Sequence, residues 1–501
     1  MANDTFIVNQ SSKLLNRETS ATFDYNGIEK RKYPNGEEIP VNKTYSTFRI
    51  CAMIAPGFSW GFVSTTMLLL TLPLECQRVG GTTDDSSSSI YLAMFIFLAG
   101  LTQLVCPLVG KLSDESEPIP NYWGRRIPFI LLGSSLSIIS LIGMTFSSWF
   151  ESWVPYAISY VLFMIAMNVV YSSMIALIPD LIPNSQVGQA NGLFALEMVL
   201  GSVFGFSFFE ILIDINHSHY DKVGAVKLST SEMYILYMMV LLVTSVITVA
   251  YTDEKTSINL VQNKDSILRD TSLHTGSARF RVSKLILIWK RAFEKAMTLE
   301  AKEVFGVFYL SPQRHGDFFF VTLSRTFYYM GISVQTFFLY FIHDILRDHS
   351  ALARRSPQSL VSILALVTQF SGAFLCYPAG YISDKYLDGR RKPFIYLFCA
   401  MLSMGSFSLI FVNYVNQLYV VCVVVGLANG GYLTMETSLA VDALEKMEEM
   451  HKEKIHSEIP VDIGGYVDSD KIKAEGAAQL LGIWGVAAFI GKNYIVDLLY
   501  Y

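Results

Sequence analysis

Apolar residues in this chain come in long runs separated by short polar interruptions, and the length of those runs sets the first expectation. Runs such as 90–112 and 127–149 hold the roughly 20 residues that a helix needs to cross a bilayer core. Lipid offers the backbone no hydrogen-bond partner, so helices, which satisfy themselves, are the form to expect. The pattern predicts spanning helices at 48–72, 90–112, 127–148, 154–179, 188–213 and 232–251, then at 317–343, 358–382, 393–413, 416–441 and 476–499. The implied organisation is a polar tail at 1–47, a six-helix bundle at 48–251, a linker at 252–316 and a five-helix bundle at 317–501. The second bundle is interrupted by a charged insert at 443–475, expected to be mobile.

Composition strengthens this reading. Hydrophobic residues make up 52% of the chain and charged ones 16%, where a soluble domain carries about 25% charge. An all-α polytopic membrane protein is therefore expected. The net charge of −5 is small, and no basic patch interleaved with aromatics points to nucleic acid. Lys and Arg are unevenly placed. With the N-terminus inside, the inner segments hold 19 of them against 6 outside, even without the long central segment. That bias predicts a cytoplasmic N-terminus, in the plasma membrane or an endomembrane. The first 45 residues lack a signal-peptide pattern, so the first spanning helix is expected to direct insertion. The sequon Asn216-His217-Ser218 falls in a predicted outer loop. Five of the six cysteines lie in or beside apolar runs and only Cys76 in a predicted outer loop, so no disulfide framework follows. No metal-ligand spacing is present.

The central segment mixes Lys284, Lys290, Arg291 and Lys295 with Leu285, Ile288, Trp289 and Phe293. That pattern suits either an amphipathic helix on the inner membrane face or a linker helix packed on the bundle.

An internal duplication is the strongest signal. Gly110-Lys-Leu-Ser-Asp114 leads into Gly124-Arg125-Arg126-Ile127-Pro128-Phe129-Ile130, and Gly380-Tyr-Ile-Ser-Asp384 leads into Gly389-Arg390-Arg391-Lys392-Pro393-Phe394-Ile395. Both copies sit where the second helix of a half hands over to the third. An acid recurs at the inner end of the fourth helix of each half, Asp180 and Asp442. Glycine lets helices approach closely, and the acids and arginines can pair across helix ends as a latch.

On these residues the chain resembles the major facilitator superfamily, and within it the glycoside–pentoside–hexuronide cation symporters, especially the sucrose-transporter-like branch. Phe58-Ser-Trp60-Gly61, both GRRxPFI stretches, Ala176-Leu-Ile-Pro-Asp180-Leu and Arg325 to Tyr340 carry the likeness, which covers about 48–501. The resemblance implies a major facilitator fold of two pseudo-repeated bundles, alternating access and a gating latch that includes Asp114, Arg126, Asp384 and Arg391. Ile175 stands where plant sucrose carriers have an arginine, and the second helix lacks the acids of sodium-coupled melibiose carriers. The family has twelve spans where eleven are predicted here, so a truncated form is expected.

Ionisable residues inside a bilayer are costly and are functional candidates. Glu197, Arg325 and Glu436 all fall in the inner half of predicted spans, as a proton-coupling network or as fixed ion pairs. Gln103, Asn168, Gln335, Gln369 and Asn429 are midplane amides, and Trp60 and Trp484 are possible stacking faces for a sugar ring. Amides and tryptophans of this kind could line a polar cavity, or could tie helices together. The expected function is proton-coupled symport of a sugar or similar small polar solute, by a monomer in the bilayer that needs no cofactor beyond the coupling proton. Rival readings are a non-transporting sensor or scaffold on the same fold, and a facilitator or exporter of another solute. No Ser/His/Asp set, metal cluster or phosphate loop suggests an enzyme.

Overall fold

A computed structural model describes residues 21–23, 29–32, 38–40, 44–79, 85–116, 124–219, 222–252, 278–298, 306–310, 312, 315–333, 357–458 and 477–500. The chain divides into two units, Met1–Ser46 and Thr47–Tyr501. The first, read from sequence as a polar tail, contains three short antiparallel strands: β1 (Ala21–Phe23), β2 (Glu29–Lys32) and β3 (Glu38–Pro40). Ala21 pairs with Arg31, and Arg31 with Ile39.

The second unit is helical. The first span is built from α1 (Thr47–Ile54), α2 (Pro56–Thr66), a π-helical turn (Met67–Thr71) and α3 (Leu72–Val79). It therefore runs past the predicted end at 72, and Cys76 is buried on α3 rather than in a loop. The second span is broken at Gln103 between α4 (Asp85–Thr102) and α5 (Val105–Asp114). Next come α6 (Ile127–Trp149), α7 (Trp153–Ile175), the short α8 (Leu177–Leu181), α9 (Val187–His219) and α10 (Lys222–Tyr251). The linker supplies α11 (Ala278–Thr298). The second half contributes α12 (Gly316–Ser333), α13 (Pro357–Tyr386), α14 (Lys392–Ser408), α15 (Val415–Glu458) and α16 (Ala477–Tyr500). Among the described residues, eight helical segments are long and apolar enough to cross a membrane.

The GRRxPF stretches explain two of these starts. Pro128 and Pro393 each lie in the first turn of a helix, where the missing N–H is no loss. Two sequence expectations need correction. The helix expected at 416–441 does not end there, because α15 continues without a break to Glu458, inside the insert. The sequon is not exposed: Asn216 is still on α9, buried, with its amide donating to Ser229 Oγ and a Glu232 carboxylate oxygen, both at 2.9 Å. For the linker helix, where two placements were open, Trp289 Nε1 donates to the Pro128 carbonyl at 2.9 Å. With Ala292 against the Val109, Phe129 and Val169 cluster, this makes α11 a helix packed on the first bundle.

The halves pack crosswise. α5 of the first half lies against α16 of the second, and α9 of the first against α13 of the second. The two repeats differ at their third helix. α10 covers α6, joined by Ser134 and Ser245 at 2.6 Å, whereas Tyr396, Met404 and Phe407 on α14 are exposed.

Candidate functional site

Two sites emerge, one at the face carrying the GRR loops and one in the second half, near Tyr171 of the first. At the loop face, Arg126 caps the start of α6 and is fully buried. Its Nε donates to Asp180 at 2.8 Å, and its two terminal nitrogens donate to Ser113 Oγ and to Asp114, both at 2.6 Å. The remaining oxygen of Asp114 accepts the backbone N–H of Gln479 at 3.1 Å, in the first turn of α16. Carboxylates are favoured there by the unpaired amides and positive end of the helix dipole.

The second repeat builds the same device. Arg391 donates to Asp442 at 3.1 Å, to Ser383 at 2.9 Å and to Asp384 at 2.5 Å. Asp384 in turn accepts the backbone N–H groups of Gly188 (3.2 Å) and Gln189 (2.7 Å) at the start of α9. Each latch acid thus reaches into the opposite half. The glycines make this possible: a Cβ on Gly110 would overlap the carbonyl oxygen of Ala478, and one on Gly380 that of Gly188. Both clusters therefore tie one half to the other at this face. Arg125 contributes less, donating to the Asp114 carbonyl at 3.2 Å and approaching Asp180 at 3.8 Å. Arg390 is exposed; its carbonyl accepts a long bond from Ser383.

Within the second half, Arg325 on α12 and Glu436 on α15 are both buried and lie 3.1 Å apart. The Arg325 guanidinium sits 3.5 Å from the ring centre of Trp484 on α16 and 4.9 Å from that of Tyr329. Cation–π contact of this kind holds a buried arginine in place without consuming its hydrogen-bond donors. Apart from the ion pair, both carboxylate oxygens of Glu436 lack a hydrogen-bond partner, and so do Arg325 Nε and Trp484 Nε1. Tyr171 on α7 is within electrostatic reach of Arg325 and Glu436, and its ring lies 4.6 Å from Trp60 on α2. Tyr328 donates to the Asn429 side-chain oxygen and stacks on Tyr432 at 3.8 Å.

The sequence candidates therefore separate. Arg325, Glu436, Trp484, and through Tyr171 also Trp60, form one centre, with Asn429 engaged by Tyr328. Glu197 stands elsewhere, on α9 beside Gly57. The Cys51 thiol is its hydrogen-bond donor, and its Oε2 is buried without a partner. Asn168 is buried and donates to Thr102 at 3.0 Å, so it ties α7 to α4. Gln103 marks the break in the second span and Gln369 is half-buried on α13; Gln335 lies outside the described residues. Sequence reasoning missed Ser113 and Ser383, although both repeats carry Ser before the acid. It also missed Tyr171, Tyr329 and Cys51, which no local pattern distinguishes from packing residues.

Residues 50–450 match the Major Facilitator Superfamily. The chain belongs to that superfamily of membrane transporters. It is also similar to the sucrose transport protein SUC3 of Arabidopsis thaliana, at 30% identity over 194 residues. That match takes in 34% of this chain and 30% of the plant protein. Among solved structures, the human organic anion transporter MFSD10 (TETRAN) has a TM-score of 0.52 at 12% identity, covering 91% of this chain and 95% of that one. The proton:xylose symporter XylE gives a TM-score of 0.47 at 13% identity, covering 90% and 96%. The resemblance to the anion transporter is one of fold alone.

Proposed function

We propose that this major facilitator protein is a proton-coupled symporter of a neutral, hydroxyl-rich solute such as a sugar, acting as a monomer by alternating access. One observation carries the reading. In the second half, near Tyr171 of the first, lies a buried set of polar atoms with unused hydrogen-bonding capacity, Arg325 Nε, Trp484 Nε1 and the Glu436 carboxylate beyond its ion pair with Arg325, bordered by aromatic rings. Buried polar groups are rarely left unpaired, and the hydroxyl groups of a bound solute would satisfy these. The Arg325–Glu436 pair is electrically balanced, so the centre offers donors and acceptors without a net charge. That favours hydroxyl groups over a carboxylate or phosphate, and a tryptophan face suits the C–H surface of a sugar ring. The likeness to a sucrose transport protein supports the same solute class.

Glu197 is the proton acceptor in this reading, because its unpartnered oxygen is free of any arginine. In this reading the N-terminus is cytoplasmic and the two arginine clusters hold the cytoplasmic side closed. Uptake of radiolabelled mono- and disaccharides into proteoliposomes, with and without an inward proton gradient, is the test. Accumulation above equilibrium is expected for the native chain. Glu197→Gln is expected to abolish accumulation but retain sugar exchange, and Glu436→Gln to weaken sugar binding. Uptake indifferent to the gradient and to Glu197→Gln would remove proton coupling from the proposal.

A further inference from the structure

The linker helix α11 carries six basic residues (Arg279, Arg281, Lys284, Lys290, Arg291, Lys295) and one acid, Glu294, in 21 residues. Its position is fixed by three contacts. Trp289 donates to the Pro128 carbonyl, Lys295 pairs with Glu115 at 2.6 Å, and Ala292 packs near Leu112 and Phe129. Pro128 begins one apolar span and Glu115 follows the end of another. The helix is thereby held at the level where two spans leave the bilayer.

Its docked stripe is Leu285, Trp289 and Ala292. Ile286 and Phe293 follow a neighbouring line, seven residues apart and so on one side of the helix. They are 54% and 66% exposed, with Lys290 between them. Large apolar side chains beside basic ones, at the height of a membrane surface, fit the boundary between acyl chains and headgroups. The excess of positive charge selects the sign of those headgroups, since each basic residue near an anionic leaflet gains about 1 kcal/mol, or roughly fivefold in affinity. We infer that α11 is a surface helix whose Ile286–Phe293 edge inserts among anionic phospholipids, so that lipid charge holds the linker between the halves against the membrane. A basic amphipathic helix can also bind an acidic protein. Docking of α11 at the span ends favours lipid.

The test uses the full chain in nanodiscs, with a nitroxide attached at Phe293→Cys and, as a second variant, at Ile286→Cys. The unsubstituted chain is labelled in parallel to subtract the native cysteines. Collision with oxygen and with an aqueous nickel chelate is measured in phosphatidylcholine alone, with phosphatidylserine, and in phosphatidylcholine with added polyglutamate. Expected is an oxygen-accessible, nickel-protected label with phosphatidylserine, reverting toward water in phosphatidylcholine. Lys290→Ala should lower the preference for phosphatidylserine about fivefold. A nickel-accessible label in both lipids overturns the inference, as does equal insertion in both. Immobilisation by polyglutamate alone would also overturn it, assigning the surface to a protein partner.

Discussion

The two copies of the loop motif build the same three-way arginine site and then spend it differently. Arg126 holds Asp114, Asp180 and Ser113, while Arg391 holds Asp384, Asp442 and Ser383. Asp114 reaches one backbone amide of α16, whereas Asp384 reaches two amides of α9. Both arginines are buried, but the helix-end acid of the first cluster is the better enclosed, Asp180 being 21% exposed and Asp442 33%. The first latch is therefore the stronger within its own half, and the second the stronger across the halves. A repeated sequence fixes the local cluster, but the reach across the interface depends on which helix start it meets.

Replacing the arginines should separate these roles most sharply. Arg126→Leu takes the buried arginine from Asp114 and Asp180, and a buried pair broken on one side costs about 3–5 kcal/mol. Thermal unfolding in detergent should show Arg126→Leu below Arg391→Leu; the reverse order would break the comparison.

The acids come next. Asp384→Asn gives up charged contacts to two amides and should destabilise the closed face by about 1.5–3 kcal/mol, with Asp114→Asn at the low end of that range. Spin-label distances between α9 and α13, and between α5 and α16, would report the population opened at this face. A larger opening in Asp114→Asn would show that the count of amide contacts does not set latch strength.

Gly110→Ala and Gly380→Ala should act on closure while leaving each arginine cluster intact. The added methyl meets backbone on both sides, where overpacking costs about 1–3 kcal/mol. Separation of the facing helix pair, without loss of the fold, is the expected readout from the same distances.

Smallest should be Arg390→Ala, an exposed position expected within about 0.5 kcal/mol of the native chain. A loss equal to that of Arg391→Leu would show that the neighbouring arginines share the role.

Much of this was legible in the sequence. Run length and polarity placed the spans, because a bilayer imposes a minimum apolar length on any helix that crosses it. The repeated Gly, Asp, Arg and Pro positions marked both arginine clusters. Ser113 and Ser383 could have been added from the same repetition. The errors fell where helices outlast the apolar signal: α3 beyond 72, α9 through Asn216, and α15 through Glu458. Backbone hydrogen bonds and neighbouring helices sustain a helix past the point where its side chains turn polar.

By itself, then, the sequence determined a helical membrane transporter with duplicated halves, and the residues able to carry charge within it. Only the tertiary structure decided their partners. It joined Arg325 to Glu436 and left Glu197 to a cysteine, and it turned each latch acid toward a helix start in the other half. The reason is physical: helical period tells which face a residue occupies. The meeting of two faces depends on the register and crossing of helices up to 365 residues apart, as with Asp114 and Gln479.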